Sequence, residues 1–457
     1  MNFFREIHEI KTTPHRSLLL FLFTRILLLS CLPCISWAAS LPNIVMIVSD
    51  DEGWRDIGYR HPDFSTPNLD RLAATGVKLE HHYVWPTCSP TRCALMCGRN
   101  PARFGILGPI GGESKLVMPR DIPNLATMLK SRGYHTAISG KWHLSLQIEN
   151  GPRQYGFDST YGYLHGQIDP WTHEYKLGNK TWHRDDVFTD DKGHATDLIG
   201  GEAVRVIAQK RTEPLFLYVA FSVPHTPLSE DAKWTQPCAA KFKEETRQLV
   251  AASISHMDEA VGKITAALDH AGMRENTLII FTSDNGGPQK SDGGDYEGKY
   301  KTQRGPLSDN GPLRGWKGDT YEGGVLVPAF VNWPAKLKPR TEDAVLCALD
   351  WLPTLAALTG AEIPQRDQLD GRNVWPLLTG EAKGAARTIF WRTGKQSAVR
   401  AGDWKLIDGK GGEPQLFNLA ADPFEKSDAA GRESERAKAM QRQLTQWKDT
   451  LPDGKQK

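Results

Sequence analysis

A chain of 457 residues can hold one large α/β domain with an appendage, or two ordinary domains. Hydrophobic residues at 39% and charged residues at 24% place it among ordinary globular proteins. A net charge of +2 leaves no basic excess to neutralise many phosphates, which argues against a dedicated nucleic-acid binder.

The N-terminus reads as an export signal over residues 1–38. Lys11, His15 and Arg16 precede an apolar stretch from Ser17 to Ile35, and Ser36-Trp37-Ala38 offers small residues where a signal peptidase cuts. Arg25 breaks the stretch, so a stable membrane span is not expected once the signal is removed. Leu28-Leu29-Ser30-Cys31 resembles a lipoprotein box, with Leu29 a poor fit. The expected location is therefore periplasmic or extracellular, with a lipid anchor on Cys31 the lesser alternative. Cys31 and Cys34 leave with the signal. The five remaining thiols (Cys88, Cys93, Cys97, Cys238 and Cys347) are an odd number, which suits no complete disulfide framework.

From Leu41 to about Val331 short apolar runs alternate with amphipathic segments, the pattern of βα units around a mostly parallel sheet. Asn43–Val48 reads as a buried strand. Pro67–Ala74 reads as a helix with Thr66 as N-cap and Gly76 beyond its end, and Pro123–Arg132 repeats that design. Tyr134–Ile138, Leu215–Ala220 and Thr277–Thr282 are further strands, and Glu245–His270 has helical periodicity. Gly286–Gly315 has no apolar period and reads as a long functional loop. A strand near Val325–Val331 and a helix near Trp351–Leu358 follow. Beyond Gly380, short runs at Thr388–Arg392, Ser397–Arg400, Trp404–Ile407 and Gln415–Leu419 predict a small antiparallel sheet, closed by a helix near Glu433–Trp447. The division expected is a catalytic α/β domain over 39–380 and a small α+β subdomain over 381–457.

Four predicted strands run directly into residues suited to catalysis. These are Asp50-Asp51, Lys141-Trp142-His143, Pro224-His225 and Asp284-Asn285. In a parallel sheet the carboxyl ends of strands converge on one crevice, so these groups can meet there. Asp50, Asp51, Asp284 and Asn285 offer only oxygen donors, which suit Ca²⁺ or Mg²⁺ better than Zn²⁺. Lys141, His143, His225 and Lys317 add cations and proton carriers, a set fitted to an oxyanion beside a dication. No Walker-type loop is present, so no nucleotide is implied.

The segment Cys88-Ser89-Pro90-Thr91-Arg92, with Leu95 and Gly98-Arg99, resembles the signature of type I, formylglycine-dependent sulfatases of the alkaline phosphatase superfamily. Gly140-Lys141-Trp142-His143-Leu144, Asp284-Asn285-Gly286-Gly287, Leu313-Arg314-Gly315-Trp316-Lys317 and the late Leu416-Phe417-Asn418-Leu419 match further motifs of that family in order. Gly156-Phe157-Asp158 and Asp258-Glu259-Ala260-Val261-Gly262 look closest to the arylsulfatase B (N-acetylgalactosamine 4-sulfatase) branch. Thr91 stands where serine is usual, and Cys97 where Thr or Ser is.

The resemblance implies an alkaline-phosphatase-like α/β fold and a hydrolase of sulfate esters. It implies that Cys88 is converted to formylglycine by a formylglycine-generating or sulfatase-maturating enzyme. One Ca²⁺ would be held by Asp50, Asp51, Asp284, Asn285 and the modified Cys88. Arg92 and His143 would hold the formylglycine hydrate, and Lys141, His225 and Lys317 the sulfate. A hydrate carries two hydroxyls on one carbon, so one can attack sulfur and the other can later expel sulfate, which neither serine nor a thiolate can do.

The expected substrate is a sulfated carbohydrate. Loop length and polar-aromatic content nominate the loops Tyr163–Tyr175, with His165, Asp169, Trp171 and His173, and Gly286–Gly315 for substrate selection, and Arg314 and Trp316 are further candidate contacts. Two alternatives remain. One is hydrolysis of phosphomonoesters or phosphonate esters by a similar site. The other is a silent sugar-binding relative, although each predicted ligand position holds the expected residue.

Overall fold

The computed structural model describes residues 41–112, 114–176, 178–291, 296, 300, 305–364, 368–409 and 412–452. The segment expected to be an export signal, with Cys31, lies outside the described residues, as do parts of the Gly286–Gly315 loop. Among the described residues no helix is long and apolar enough to cross a membrane.

In chain order the strands of the main sheet are β1 (Asn43–Ser49), β2 (Val77–Leu79), β4 (His135–Lys141), β5 (Ser159–Tyr163), β6 (Trp182–Arg184), β7 (Val187–Phe188), β8 (Leu215–Ala220), β9 (Thr277–Ser283), β10 (Ala329–Asn332) and β11 (Arg340–Glu342). Between them, β3 (His82–Tyr83) pairs with β12 (Leu346–Cys347) as a two-stranded ladder. The ten strands are ordered β11-β2-β10-β9-β1-β8-β4-β5-β6-β7. The five central strands, β9, β1, β8, β4 and β5, are mutually parallel, and antiparallel pairs flank them. Helices cover both faces of such strands, which is why β1 and β8 are continuous apolar runs and not alternating ones.

On one face, helices Ala195–Ala208 and Glu245–His270 pack against Val45, Ile47, Leu217, Val219, Ile279 and Phe281. The two helices approach closely because Gly200 faces Ala260; a Cβ on Gly200 would lie 2.9 Å from the Ala260 Cβ. Helix Pro67–Ala74 begins and ends as its sequence predicts. Thr66 does occupy the N-cap position, but its hydroxyl donates to Asp70 instead of capping. The cap comes from Asp258, whose carboxylate accepts the Asn68 and Leu69 amides at 3.1 and 2.8 Å. The helix predicted over Pro123–Arg132 is shorter, Leu125–Lys130, because the Asn124 side chain accepts the Ala126 and Thr127 amides and fixes the start there. The strand expected near Val325–Val331 starts only at Ala329, since Glu322–Val325 closes one helical turn.

The C-terminal segment forms the small antiparallel sheet that its short alternating runs predict. Its strands are β13 (Thr388–Arg392), β14 (Gln396–Ala401), β15 (Trp404–Gly409) and β16 (Gln415–Asn418), in that spatial order. Helix Ser434–Asp449 lays Met440, Leu444 and Trp447 onto Val399, Leu406 and Leu416.

Candidate active site

The register of β1 against β9 builds the acidic half of the site. Ser49 pairs with Ser283, so Asp50-Asp51 and Asp284-Asn285 leave the sheet side by side. The Asp51 amide donates to Asp284 Oδ1 at 3.2 Å, and the Asn285 amide nitrogen donates to Asp51 Oδ1 at 2.7 Å. Asp51 adopts a positive φ of 71°, unusual for a residue with a side chain. On the other flank of β1, strands β8 and β4 deliver His225 and Lys141. Glycine is required at position 140, where φ is 111° and a Cβ would fall 1.9 Å from the Ala220 carbonyl oxygen.

Cys88 stands at the first turn of helix Cys88–Cys97. Every residue of that helix is buried. The helix begins at Cys88, and Pro90 lies in its first turn, where no intrahelical N–H is needed. Cys93 and Cys97 share a face, as their spacing predicts, with sulfurs 3.8 Å apart.

Three cations meet the three carboxylates. Arg92 donates to Asp284 Oδ2 through Nη2 at 2.7 Å and Nε at 3.1 Å. Lys141 Nζ donates to Asp50 Oδ2 at 2.6 Å, and Lys317 Nζ to Asp51 Oδ2 at 2.8 Å. His225 Nε2 lies 3.6 Å from that same Asp51 oxygen. His143 donates from Nε2 to the Ile110 carbonyl at 2.8 Å, leaving Nδ1 as a buried acceptor with no protein partner. Gly166 packs against the His143 ring; a Cβ there would come within 2.6 Å of Cε1.

Burial sets the electrostatics. Burial and the neighbouring Asp284 carboxylate push the Asp50 pKa up to about 8, against Lys141 and Arg92. Burial also opposes ionisation of Asp51, but Lys317 and His225 outweigh it and hold that carboxyl below the usual range. Burial and Lys317 pull His225 down to about 4, while burial and Lys141 keep His143 neutral. The Cys88 thiol is raised by burial, which leaves the unmodified residue a poor nucleophile.

The donors fit a hard cation. All are oxygens, and two of them, Asp50 Oδ1 and Asn285 Oδ1, are buried without a hydrogen-bond partner. Asp50, Asp51 and His225 also present ligand atoms within 4.8 Å of one another.

A cleft of about 490 Å³ opens above Cys88. Asp51, His143, His225, Lys317 and Trp316 line it, together with Gln167 and Tyr175 of the Tyr163–Tyr175 loop and Lys290 of the Gly286–Gly315 loop, none of the three named singly from the sequence. The other nominated contact residues do not line it. Asp169 accepts the Trp171 and Thr172 amides within its own loop, and His173 packs on Trp182 and binds the Gly193 carbonyl. His165 bonds Thr181 and stacks on Tyr175. Trp171 reaches Ser229 and His194, and Arg314 lies over Tyr321 with a bond to the Glu425 carbonyl. Tyr175 carried no sequence signal beyond its place in the same loop.

An acidic pocket at the carboxyl ends of a parallel sheet, faced by Lys and Arg, defines a hydrolase of anionic esters. Residues 42–361 match the family model "Sulfatase", and the chain belongs to that family. It is an enzyme that hydrolyses sulfate esters. It is 33% identical to mouse Arylsulfatase J, over 90% of this chain and 76% of that protein. Human Arylsulfatase A is 34% identical over 79% of this chain and 72% of its own length. An N-acetylgalactosamine-6-O-sulfatase of Bacteroides thetaiotaomicron is 29% identical, over 86% and 90%. The structure of Ps i-CgsB in complex with k-i-k-neocarrahexaose superposes with a TM-score of 0.81 at 30% identity, covering 89% of this chain and 93% of that one.

Proposed function

We propose that the enzyme is an exported sulfatase that removes sulfate from a carbohydrate, working through formylglycine at position 88 and a bound Ca²⁺. The observation that carries this reading is the meeting of Cys88, Lys317, His143 and His225 in one cleft directly over the buried oxygen set. Asp50, Asp51, Asp284 and Asn285 would hold the ion, which when bound would favour the ionised form of the attacking hydroxyl. The hydrated aldehyde would supply one hydroxyl to attack sulfur and a second to release sulfate.

The remaining roles belong to side chains of the chain itself. Lys141 and Lys317 bring positive charge to the sulfate oxygens. His143, with Nδ1 free of protein partners, accepts a hydrogen bond from the group at position 88. His225 is neutral in the unliganded site and accepts or returns a proton at the leaving oxygen, with Lys317 beside it. Trp316 lines the cleft next to Lys317 and offers an indole face to a sugar ring. A carbohydrate is favoured by the size of the cleft and by relatives whose names specify sulfated amino sugars or a carrageenan oligosaccharide.

Mass spectrometry of the peptide containing Cys88 tests maturation first. The mature enzyme is then assayed on aryl sulfate, aryl phosphate and defined sulfated oligosaccharides. Cys88→Ala is expected to fold normally and show no turnover; a variant that retains normal turnover sinks the reading. Faster turnover of the phosphate would move the assignment to phosphoester hydrolysis.

A further inference from the structure

Lys317 stands on an irregular segment, and that segment is gripped from two sides. The main domain holds it through the Lys317 amide on the Gly287 carbonyl at 3.1 Å and the Gly318 amide on the Pro86 carbonyl at 2.7 Å. The C-terminal segment, through β14, β16 and the turn after β16, holds it at residues before and after Lys317. Arg314 Nη1 donates to the Glu425 carbonyl at 3.0 Å, and its guanidinium lies 4.1 Å from the Tyr321 ring centre. Gln396 Oε1 accepts both the Thr320 amide at 3.0 Å and the Thr320 hydroxyl at 3.2 Å. The Tyr321 hydroxyl donates to Gln415 Oε1, and the Glu322 amide to Glu425 Oε2 at 2.7 Å.

These anchors are themselves fixed. Gln396 begins β14 directly after a tight turn, where its amide binds the Thr393 hydroxyl at 2.9 Å. Lys405, fully buried on β15, lies 2.7 Å from Glu322 Oε1 and 3.0 Å from Glu425 Oε1. A buried ammonium thus joins one carboxylate of the main domain to one of the C-terminal segment. Such a network costs desolvation, so its return is geometric definition of the joined parts.

We propose that the C-terminal sheet positions Lys317 in the cleft, with Gln396 as the positioning residue that acts through Thr320. The proposal rests on the reading of Lys317 as a sulfate-binding cation. Gln396 touches neither the cleft nor Lys317 itself, so its effect must pass through the backbone of Lys317–Thr320. An ammonium displaced by a fraction of an ångström loses alignment with a developing charge, which can cost tenfold or more in rate.

The test is a double-mutant cycle on the mature, full-length enzyme with an aryl sulfate. Gln396→Leu in the parent is expected to lower kcat/KM about tenfold, while Gln396→Glu, which keeps an acceptor oxygen, restores most of it. In a Lys317→Ala background, Gln396→Leu is expected to cause no further loss. Hydrogen exchange at the Thr320 amide is expected to speed up in Gln396→Leu and to stay slow in Gln396→Glu. Tyr321→Phe, which removes only the bond to Gln415, gives a second variant should Gln396→Leu fold poorly by thermal unfolding. Equal losses in both backgrounds, or an unchanged kcat/KM with a released amide, would overturn the proposal. Full turnover by Lys317→Ala would overturn the role of Lys317 as well, so the two failures are distinguishable.

Discussion

Arg92 gives two hydrogen bonds to a single oxygen of Asp284, and both side chains are almost fully withdrawn from water. Removing one partner strands the other charge in a low-dielectric pocket, a loss of about 3–5 kcal/mol. Lysine has one nitrogen where Arg92 uses a planar fork, so Arg92→Lys is not conservative here. Urea unfolding of Arg92→Lys and Arg92→Ala is expected to show a clear drop in midpoint with an unchanged slope.

The buried oxygen set predicts a cation-dependent stability. Calcium at a hundred times its dissociation constant is expected to stabilise the protein by about 2.7 kcal/mol, because the unfolded chain offers no such site. Thermal unfolding with calcium and with a chelator measures this. Asn285→Leu, which deletes the unpartnered Oδ1, is expected to abolish the difference between the two curves.

His82 makes stability depend on pH. Trp351 Nε1 donates to its Nε2 at 3.1 Å, so Nδ1 carries the proton and donates to the Thr282 hydroxyl at 3.2 Å. Burial, reinforced by Arg387, pulls its pKa from 6.5 to about 3. Between those values the unfolded chain takes up a proton that the folded protein refuses. The contribution is therefore fully present above pH 6.5 and is lost as pH falls toward 3, at up to about 1.4 kcal/mol per pH unit. Unfolding free energies of the parent and of His82→Gln across this window are expected to differ in slope by one proton.

Asp258 caps a helix that belongs to another part of the chain. Asp258→Ala leaves the Asn68 and Leu69 amides without their acceptor, and a loss of about 1–2 kcal/mol is expected in equilibrium unfolding. Thr66→Val tests the neighbouring position. It removes the bond to Asp70 and the acceptor of the Gly58 amide but no cap, and a loss of about 1–2 kcal/mol is expected here too.

Asp258 also shows how far the sequence could be read. Strands β1, β8 and β9 and the long helix Glu245–His270 were legible because their burial follows from neighbouring residues. The convergence of Asp50, Asp51, Asp284 and Asn285 was legible because each pair directly follows such a strand. The helix cap was not, since Asp258 lies 190 residues from Asn68. Gln396 was missed for the same reason, its partner being 76 residues away. The nominated contact loop is a different case. His165, Asp169 and His173 have the residue types of a sugar site, and in the structure they bind Thr181, the Trp171 and Thr172 amides together with the Tyr300 hydroxyl, and the Gly193 carbonyl.

The complete burial of helix Cys88–Cys97 has a consequence for timing. Ser89, Pro90, Thr91 and Arg92 are hidden in the native protein, so no other macromolecule can grip the sequence around the thiol once the helix has docked. An enzyme that modifies Cys88 must therefore work on the extended chain, in a race against folding. On the proposed formylglycine reading, slower folding of the chain would raise the fraction of converted molecules, and a chain that folds first would stay unconverted.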